Sequence, residues 1–515
     1  MIYPLTIQAE RLADKPAVIE DRPDGTVVSW SYAELNRQAC RLANVFRDLG
    51  LKPGERFIWC GPNSLGVVRA NHARTKVGAT MVPLNYRLTP EETAYIVEDA
   101  DAVLIYADAD QAETFTHIRS KLPRVREVVI FGGAAPRGMV DGDALVARAS
   151  AAEPPPAPAD HPASMLYTSG TTGRPKGAVR PVLDPALIVP LLRHIGFVED
   201  DVYLTTGPLY HSGPGGFLQI AQLFGNTVVL QRRFDAQDWL RLVDKYRVSM
   251  TFSAPTPIRM VVNLQAQVKA KYDRSSMKRM IANAAPWSYA LKEQYLADFP
   301  EDSLWEVYGS TELGVDTVLA PADQRRKPGS CGVAAPSVEI MLVDDDGREV
   351  TAPGVPGQVY VRSANNFVAY HKAADTFAAS RRGDFLTVGD IAYRDSEGFY
   401  YICDRKSDMI ISGGMNVYPA EIEAALERHP AVQEVAVFGI PSDEWGESVH
   451  AVVVPRAGHV IAVEELTVFA RGHLAGYKVP RSVTFADELP KTGSGKILKR
   501  SLREPFWRER TTRVS

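Results

Sequence analysis

The sequence has few cysteines and no basic block, and so lacks the features of disulfide-rich, zinc-binding or nucleic-acid-binding proteins. Its 515 residues include only four cysteines (Cys40, Cys60, Cys331 and Cys403), which lie far apart and form no CxxC pair. We therefore expect reduced, mostly buried thiols and no zinc site. Lys and Arg number 58 against 62 Asp and Glu, without a basic block, so nothing favours nucleic acid or an anionic membrane surface as a partner.

Long apolar runs and targeting segments are also absent. No uninterrupted apolar run approaches ~18 residues, so we expect no membrane-spanning helix. The first residues, MIYPLTIQAERLADKPAV, have neither a basic region nor an apolar core, and no signal peptide is predicted. The C-terminal Arg-Val-Ser differs from the peroxisomal Ser-Lys-Leu address. These absences predict a cytoplasmic protein.

The chain is longer than a single core, and its alternation of strands and helices predicts the fold class. With 45% hydrophobic and 23% charged residues, two or more ordinary globular domains are expected. Capping boxes at Ser31–Glu34 and Thr89–Glu92 begin helices that alternate with short apolar strands, and the alternation resumes after residue 200. This order predicts layered, mostly parallel α/β sheets.

From about residue 337 the pattern changes. Tight turns such as Asp345-Asp-Gly347 and Asp395-Ser-Glu-Gly398 predict a β-rich section. The last stretch alternates strands and helices again and predicts an α+β unit of roughly 110 residues. The charged residues Asp404-Arg405-Lys406 are expected to form a linker between the two parts. We therefore predict an α/β protein with a large N-terminal domain of several subdomains and a small α+β C-terminal domain.

A loop rich in Gly, Ser and Thr follows a short apolar strand near residue 167. The segment Tyr167–Gly177 reads YTSGTTGRPKG, and its backbone N–H groups, hydroxyls and Lys176 are suited to binding phosphate. It is not a Walker P-loop, because Pro175 and Gly177 stand where that motif needs Gly and Ser or Thr. A plain surface turn is the alternative interpretation of such a loop alone.

Several further motifs follow this loop in order, each of them weak alone. They are Pro208-Leu-Tyr-His211 with a Gly-rich segment after it, Tyr308-Gly-Ser-Thr-Glu312, Val388-Gly-Asp390, Asp404-Arg405, Ser412-Gly-Gly-Met-Asn416 and Pro490-Lys-Thr-Gly-Ser-Gly-Lys496. Over essentially the whole chain, this order resembles the adenylate-forming superfamily of acyl-CoA synthetases, nonribosomal adenylation domains and luciferases. The fatty-acid and aryl-acid CoA ligases are the most similar branch.

The resemblance implies a reaction, its cofactors and a domain division. ATP and a carboxylate would give acyl-AMP and pyrophosphate, and the acyl group would then form a thioester with coenzyme A. Mg²⁺ would neutralise phosphate charge. The implied domains are residues 1–403 and 404–515, with the smaller one rotating about a hinge at Asp404. A homodimer is compatible with the resemblance.

The resemblance also implies which residues carry the reaction. Catalytic roles fall to Lys496, Glu312, Thr311 and His211, with Glu312 also holding the metal. The ATP site would comprise Thr168, Ser169, Gly170, Thr171, Thr172, Gly173, Lys176, Ala284, Ala285, Pro286, Tyr308, Asp390 and Arg405. Each residue alone has a plainer alternative, such as a turn for Asp390, a solvated loop for Lys496 or a core position for His211. The family usually has Thr where Val388 stands, so one hydroxyl contact is expected to be lost.

Coenzyme A is the acceptor that the resemblance favours. Adenylation domains usually carry an Asp just after the position of His211 to bind an α-ammonium group, and none stands here. The implied thiol tunnel is Ser412, Gly413 and Gly414, and the implied nucleotide contacts are Trp445, Tyr477 and Lys478, which could equally be surface packing residues. Delivery of the acyl group to a separate carrier protein is the alternative, and a non-catalytic ATP-binding protein is a weaker one.

The predicted acyl pocket contains His211, Gly213, Gly309 and Gly314. Acetate-activating relatives carry Trp at the position of Gly309, so this glycine, together with Gly213, Gly215 and Gly216, predicts a roomy pocket. No Arg occurs in these stretches to bind a second carboxylate. A medium or long fatty acid, or a bulky aryl or alicyclic acid, is therefore the predicted substrate.

Overall fold

The N-terminal part of the chain alternates helices and strands. The computed structural model describes residues 3–158, 163–168, 175–182, 185–285, 287–406, 408–413, 415–492 and 497–508, with the backbone alone at 185–187. The first elements are α1 (Pro4–Arg11), β1 (Pro16–Asp21), β2 (Val27–Ser31), α2 (Tyr32–Asp48), β3 (Arg56–Cys60), α3 (Leu65–Val77), β4 (Thr80–Leu84), α4 (Pro90–Asp99), β5 (Leu104–Asp108), α5 (Ala112–Ile118), β6 (Glu127–Phe131), β7 (Val140–Asp141) and α6 (Gly142–Arg148).

The alternation continues through the middle of the chain. Its elements are β8 (Ser164–Thr168), β9 (Lys176–Arg180), α7 (Pro185–His194), β10 (Val202–Thr205), α8 (Ser212–Leu223), β11 (Thr227–Leu230), α9 (Ala236–Lys245), β12 (Met250–Ser253), α10 (Pro255–Val262), α11 (Ala266–Lys269), β13 (Arg279–Ala282), α12 (Tyr289–Asp298), β14 (Leu304–Ser310) and β15 (Gly314–Leu319).

Short strands then dominate before a smaller unit of mixed strands and helices. The β-rich section holds β16 (Val333–Ala334), β17 (Glu339–Val343), β18 (Gly357–Arg362), β19 (Ala369–Tyr370), α13 (Ala374–Ala379), β20 (Arg381–Arg382), β21 (Phe385–Leu386), β22 (Asp390–Arg394) and β23 (Tyr400–Arg405). The smaller unit holds β24 (Ile410–Ser412), β25 (Met415–Val417), α14 (Pro419–Leu426), β26 (Val432–Ser442), β27 (Gly446–Pro455), α15 (Val463–Arg471), β28 (Ser482–Phe485) and α16 (Lys499–Trp507).

The described strands form four sheets. Two large sheets have the orders β19-β9-β8-β4-β3-β5-β6-β7 and β16-β15-β14-β13-β12-β10-β11-β1-β2. Their central strands pair in parallel, as between β3 and β4 or between β10 and β11, because a helix returns the chain between them. The β-rich section forms the sheet β20-β21-β18-β22-β23, and the smaller unit forms β25-β24-β27-β26. The predicted layered α/β class with a smaller C-terminal α+β domain is confirmed.

The two predicted capping boxes differ in how completely they form. At α4, Thr89 Oγ1 accepts from the Glu92 N–H, and the Glu92 carboxylate accepts in return from the Thr89 N–H at 2.8 Å. At α2, Ser31 Oγ accepts from the Glu34 N–H, but the Glu34 carboxylate binds Arg37 and Gln38 along the helix instead. One box is therefore reciprocal, and the other is half formed because (i, i+3) and (i, i+4) partners compete.

The expected linker is part of a strand. Asp404 and Arg405 are the last residues of β23, where Asp404 pairs with Ile391 and Arg405 with Asp390. Their charges are satisfied locally, so a charged tripeptide here does not mark an open connection. The sequence prediction also missed the antiparallel pair of β1 and β2, whose first strand joins the second large sheet beside β11.

The cores are apolar, and the cysteines are unpaired. Cys40, Cys60 and Cys331 are buried free thiols, whereas Cys403 is partly exposed. Burial raises the pKa of Cys40 to about 11, so that thiol is protonated at neutral pH. None of the described helices has the length and apolar character needed to cross a membrane.

Candidate active site

A cavity of about 1140 Å³ opens where the parallel strands of both large sheets end. Thr168 at the end of β8, Thr206 after β10, Ala254 after β12 and Ala284 after β13 all line it. The carboxyl ends of parallel strands are where open α/β sheets bind ligands. Lys491 and Thr492, from the smaller C-terminal unit, complete the lining.

A buried carboxylate, Glu312, lies at the turn between β14 and β15. Its Oε1 accepts hydrogen bonds from Thr168 Oγ1 at 2.9 Å and from the Tyr370 hydroxyl at 3.1 Å. Burial raises the pKa of Tyr370, and the neighbouring Glu312 carboxylate raises it further. The resemblance indicated Thr168 and Glu312, but no sequence signal indicated Tyr370, which comes from the distant strand β19.

Arg180 fixes the backbone of the same turn. Its Nη1 donates to the carbonyl oxygen of Thr311 at 2.9 Å and to that of Glu312 at 3.2 Å. Burial lowers the pKa of Arg180, and the nearby Glu312 and Asp316 oppose that effect. The sequence analysis missed this residue, although it lies just after the glycine-rich loop at the end of β9.

Two hydroxyl contacts join separate elements around the cavity. Thr311 Oγ1 lies 2.9 Å from Ser212 Oγ at the start of α8, and Lys176 Nζ donates to Thr376 Oγ1 at 3.1 Å. The sequence analysis named neither Ser212 nor Thr376 as a site residue. Ser169, Gly170, Thr171, Thr172 and Gly173 lie outside the described residues.

Asp390 is held by two of the predicted ATP-site residues. The Tyr308 hydroxyl donates to Asp390 Oδ2 at 2.6 Å, and Arg405 Nε lies 3.2 Å from Asp390 Oδ1. Burial and the neighbouring Asp390 and Asp316 raise the pKa of Tyr308 well above its ordinary value, so its hydroxyl remains a donor. Each carboxylate oxygen has a further lone pair, so Asp390 can still accept from a ligand diol.

Val388 has no hydroxyl, but the hydroxyl of its neighbour Thr387 fixes the same turn. Val388 lines the cavity, while Thr387 Oγ1 accepts from the Gly389 N–H at 3.0 Å and from Gln358 Nε2 at 3.1 Å. The turn before Asp390 is therefore fixed by a threonine one position earlier than the family pattern.

The predicted adenine neighbours are only partly described. Ala284 lines the cavity with a φ of 70°, a left-handed conformation that is uncommon for alanine and clusters at ligand sites. Ala285 follows it, and Pro286 lies outside the described residues. The side chain of Asn283 donates to the Val307 carbonyl oxygen and joins this turn to β14.

His211 is a buried, neutral imidazole at the N-cap of α8. Burial, assisted by Arg87, lowers the pKa of His211 to about 4. Its Nε2 has no hydrogen-bond partner among the described residues, and its ring lies 4.4 Å from that of Tyr210. An imidazole of this kind can orient a ligand or accept a hydrogen bond, but it does not carry charge at neutral pH.

The glycines predicted to open the acyl pocket have different roles. A Cβ at Gly213 would collide with the Phe252 ring, and one at Gly309 would collide with the Gly314 carbonyl oxygen. A Cβ at Gly215 would likewise collide with the Leu209 carbonyl oxygen. The argument that these three glycines leave space for substrate is therefore wrong, because neighbouring atoms already occupy that space. A Cβ at Gly216 would meet nothing within 4 Å. Gly314 needs glycine for its φ of 89°.

The predicted CoA contacts on the smaller unit are engaged with one another. The Arg481 guanidinium lies 4.5 Å from the centroid of the Trp445 ring and donates to Ser412 Oγ at 3.2 Å. A Cβ at Gly413 would lie 2.9 Å from the Trp445 ring, which explains the glycine independently of any tunnel. Gly414 lies outside the described residues.

Tyr477 and Lys478 also have protein partners. Lys478 Nζ lies 2.7 Å from the Glu421 carboxylate and 5.6 Å from the Tyr477 ring centroid. A phosphate group on Lys478 would therefore compete with Glu421 for the ammonium group. Lys496 lies outside the described residues, but Lys491, from the beginning of its motif, pairs with Glu434 at 2.7 Å and lines the cavity.

Comparison with known proteins agrees with this geometry. The family model of the AMP-binding enzyme matches residues 5–371, and that of the AMP-binding enzyme C-terminal domain matches residues 421–496. A feruloyl-CoA synthase of an Amycolatopsis species is 36% identical over 493 residues, or 94% of this chain and 95% of that protein. The fatty acid–[acyl-carrier-protein] ligase ScoC of Streptomyces coeruleorubidus is 33% identical over 502 residues, or 94% and 93%.

A solved structure shows the same fold. The anthranilate CoA ligase AuaEII in complex with anthranoyl-AMP matches with a TM-score of 0.88 and 26% identity, over 98% of this chain and 96% of that one. Layered α/β sheets with a large crevice at their carboxyl ends are an arrangement that binds ligands, and the family models identify it here as that of an AMP-binding enzyme. The chain belongs to the AMP-binding enzyme family and is an adenylate-forming, ATP-dependent acid–thiol ligase.

Proposed function

We propose that this ligase activates a bulky, largely apolar carboxylic acid and transfers the acyl group to coenzyme A. The observation that carries the proposal is the cavity of about 1140 Å³, which is larger than a usual single-ligand pocket and continues from Glu312 into apolar walls. Leu191, Leu192, Phe217 and Ile220 are among those walls. Such a space suits ATP together with a large acid.

The first half-reaction follows from the polar residues of the cavity. A carboxylate oxygen of the acid attacks the α-phosphorus of ATP, the bond to pyrophosphate breaks, and acyl-AMP forms. We assign the phosphate grip to Thr168–Lys176, the ribose contacts to Asp390 and Arg405, and the adenine contacts to Tyr308 and Ala284–Pro286. Lys496 would stabilise the negative charge that develops at the α-phosphate.

Glu312 fits a magnesium site of the kind that relies on substrate phosphates. The described residues contain no cluster of three or more His, Cys, Asp or Glu side chains that could hold a metal alone. Mg²⁺ usually takes one or two carboxylates together with phosphate oxygens and water. One oxygen of Glu312 is engaged by Thr168 and Tyr370, which orients the carboxylate toward the cavity. Bound there, Mg²⁺ would neutralise phosphate charge.

The second half-reaction needs the thiol of coenzyme A to attack the acyl carbonyl carbon, with AMP as the leaving group. We place the boundary of the mobile domain at residue 404, so that residues 404–515 rotate between the half-reactions. The Asp404 carboxylate supports this hinge, since it accepts from the Ala420 N–H at the start of α14 at 3.0 Å. The thiol path would pass Ser412–Gly414, with Trp445, Tyr477 and Lys478 near the nucleotide.

An acyl-carrier protein is the second candidate acceptor, and the relative ScoC favours it. The free cysteines support a reducing, cytoplasmic location for either reaction. A panel of carboxylic acids, assayed for pyrophosphate release and for thioester formation with and without coenzyme A, tests the proposal. We expect release with bulky apolar acids and thioester with coenzyme A. Release without any CoA thioester would support the carrier protein, and no release with any acid would contradict both.

A further inference from the structure

A part of the cavity away from Glu312 carries buried polar groups among its apolar walls. We call it the distal end and define it by Asn71, His72 and Arg74 on α3 and by Gln219 and Gln222 on α8, all of which line the cavity. Both helices are otherwise packed into the core. Polar groups buried at this depth require partners, so their partners reveal what the distal end can bind.

Among the described residues, all hydrogen-bond acceptors of Arg74 are neutral. Its Nε donates to Asn71 Oδ1 at 3.0 Å, its Nη1 to the Ala163 carbonyl oxygen at 2.7 Å, and its Nη2 to Gln219 Oε1 at 3.0 Å. None of the ion pairs among the described residues includes Arg74, although Lys76, two positions on, is paired with Glu153 at 2.6 Å. Within the part of the chain that the structure describes, these bonds use three of the five N–H donors of Arg74, and their neutral acceptors do not compensate its positive charge.

A second donor in the same place also lacks a partner. Gln222 is 2% exposed, and its Nε2 has no hydrogen-bond partner among the described residues, while its Oε1 lies 2.8 Å from His72 Nε2. Burial lowers the pKa of His72 to about 4, so at neutral pH this ring adds no charge. Burial lowers the pKa of Arg74 only to about 10, so the guanidinium remains a cation.

The lengths of β8 and α8 give two estimates of the distance from Arg74 to the residues around Glu312. Arg74 binds Ala163, and β8 then runs five residues to Thr168, which contacts Glu312; at the usual strand rise this is roughly 16 Å. Arg74 also binds Gln219, seven residues along α8 from Ser212, which contacts Thr311; at the usual helix rise this is roughly 10 Å. The guanidinium therefore lies well beyond the carboxylate that reacts.

We propose that the distal end binds a second carboxylate, so that the substrate is a long, mostly apolar acid with an anionic group at each end. An arginine guanidinium and an amide N–H₂ are both donors, and together they match the two oxygens of a carboxylate. The inference deepens the proposed function and rests on it. It also revises the sequence expectation that no arginine would meet a second carboxylate, because Arg74 lies on α3, outside the motifs that suggested the pocket.

Acid-dependent pyrophosphate release tests the proposal with matched substrates. The panel contains straight-chain monocarboxylic acids, the α,ω-dicarboxylic acids of equal carbon number, and the monomethyl esters of those diacids, over a series of chain lengths. We expect the wild-type enzyme to prefer one diacid over its monoacid and its ester by about tenfold to a hundredfold in kcat/KM. Release with monoacids but never better with a diacid would overturn this inference, whereas no release with any acid would contradict the proposed function itself.

Variants assign the preference to Arg74. Arg74→Met should abolish it by raising KM for the diacid while leaving the monoacid within about threefold, and Arg74→Lys should retain part of it. Gln222→Leu should reduce it independently, which keeps the test open if Arg74→Met does not fold. The matched control is Arg69→Met, a change at another buried arginine of α3, which binds Tyr106 and Asp143 instead. Equal losses for monoacid and diacid in Arg74→Met would overturn the proposal.

The last control concerns a carboxylate of the chain itself as the partner of Arg74. Asp160 lies outside the described residues and precedes Ala163 by three positions in the sequence. In Asp160→Asn the wild-type preference for the diacid should remain. A diacid preference that arises only in Asp160→Asn would assign the counter-charge of Arg74 to the chain itself and would overturn the proposal.

Discussion

The two ends of the cavity differ in how their charges are satisfied. At the near end, formed by Thr168, Lys176, Thr311 and Glu312, the Glu312 carboxylate accepts from Thr168 and from Tyr370, and the other side chains have hydroxyl partners. At the distal end, Arg74 and Gln222 have N–H donors with no partner among the described residues. One end is organised before ligands arrive, and the other still requires an acceptor.

The near end therefore serves the reaction itself, whereas the distal end serves the choice of the acid. Every acid presents the same carboxylate and every turnover uses the same triphosphate, so the near end needs one fixed constellation. The remainder of the acid differs between substrates, so the distal end and the apolar walls decide which acid binds. Changes at the near end should therefore affect all acids alike, whereas changes in the walls or at the distal end should depend on the acid.

The largest effect is expected from Lys496→Ala. Loss of the ammonium group removes stabilisation of the charge at the α-phosphate, so acyl-AMP formation should fall by roughly 10³ for every acid. Pyrophosphate release measures this step, and thioester formation from supplied acyl-AMP should persist. The matched control is Lys491→Ala, a lysine of the same motif that is paired with Glu434. Equal loss of both half-reactions would argue against a role confined to adenylation.

Glu312→Gln should be the next most severe change. The amide keeps the shape of the side chain but removes the negative charge that would hold Mg²⁺, so pyrophosphate release should fall by about a hundredfold at low Mg²⁺. Titration with Mg²⁺ should show a weaker apparent affinity than wild type. Glu339→Gln, at an exposed carboxylate paired with Arg362, is the control and should change neither quantity. An unchanged Mg²⁺ dependence in Glu312→Gln would remove the metal role.

Gly216→Leu should discriminate between acids by size. A side chain at this position would enter open space in the cavity, so kcat/KM for bulky acids should fall by about tenfold while small acids are spared. Gly213→Ala is the comparison: its new methyl group would meet the Phe252 ring, so it should lower the thermal stability. If Gly216→Leu slows all acids equally, the wall does not select by size.

Tyr370→Phe should have a smaller effect, which is uniform over the acids. The variant loses one hydrogen bond to Glu312 Oε1, so kcat/KM for pyrophosphate release should fall by roughly fivefold. Tyr393→Phe removes a hydroxyl from a tyrosine that stacks on Tyr401 away from the cavity, and it should be silent. A fivefold loss in both variants would indicate a general effect on stability.

The smallest effect concerns pH and stability. Unfolded histidine binds a proton below a pH of about 6.5, whereas burial keeps the pKa of both His72 and His211 at about 4. The unfolded chain therefore binds more protons between these two pH values, and stability should fall as the pH is lowered through this range. His211→Gln should have a Tm that is a few degrees less sensitive to this change. An equal pH dependence in wild type and variant would contradict the assigned burial.

Local sequence signals predicted most of the fold. The Thr89 capping box and the alternation of helices with short apolar strands depend on residues adjacent in the chain. Asp404 and Arg405 were expected in a linker because they are charged, but they belong to β23, where they pair with Ile391 and Asp390. The sequence analysis did not place β1 beside β11, because that pairing joins segments some 200 residues apart in the chain.

Local motifs likewise predicted some residues of the candidate site and missed those that tertiary packing brings to it. The ordered motifs indicated Thr168, Glu312 and Asp390, since these residues recur at fixed places in the family. Tyr370 and Thr376 reach the site only through tertiary packing, and a single hydroxyl on a distant strand or helix has no local signature. Arg180 lies close to the glycine-rich loop in the chain, but nothing local shows that its guanidinium binds the turn at Glu312. Gly309 shows the opposite error, because a glycine required by backbone contact was interpreted as space.

The most direct test measures pyrophosphate release by the Glu312→Gln and Arg74→Met variants with a panel of acids. It asks whether the near end serves the reaction of every acid and the distal end serves the choice of acid. We expect Glu312→Gln to lower kcat/KM by one common factor for every acid, whatever its length or second group. Arg74→Met should lower kcat/KM for one class, the diacids, and leave monoacids nearly unchanged. The same factor across all acids in both variants would contradict the account.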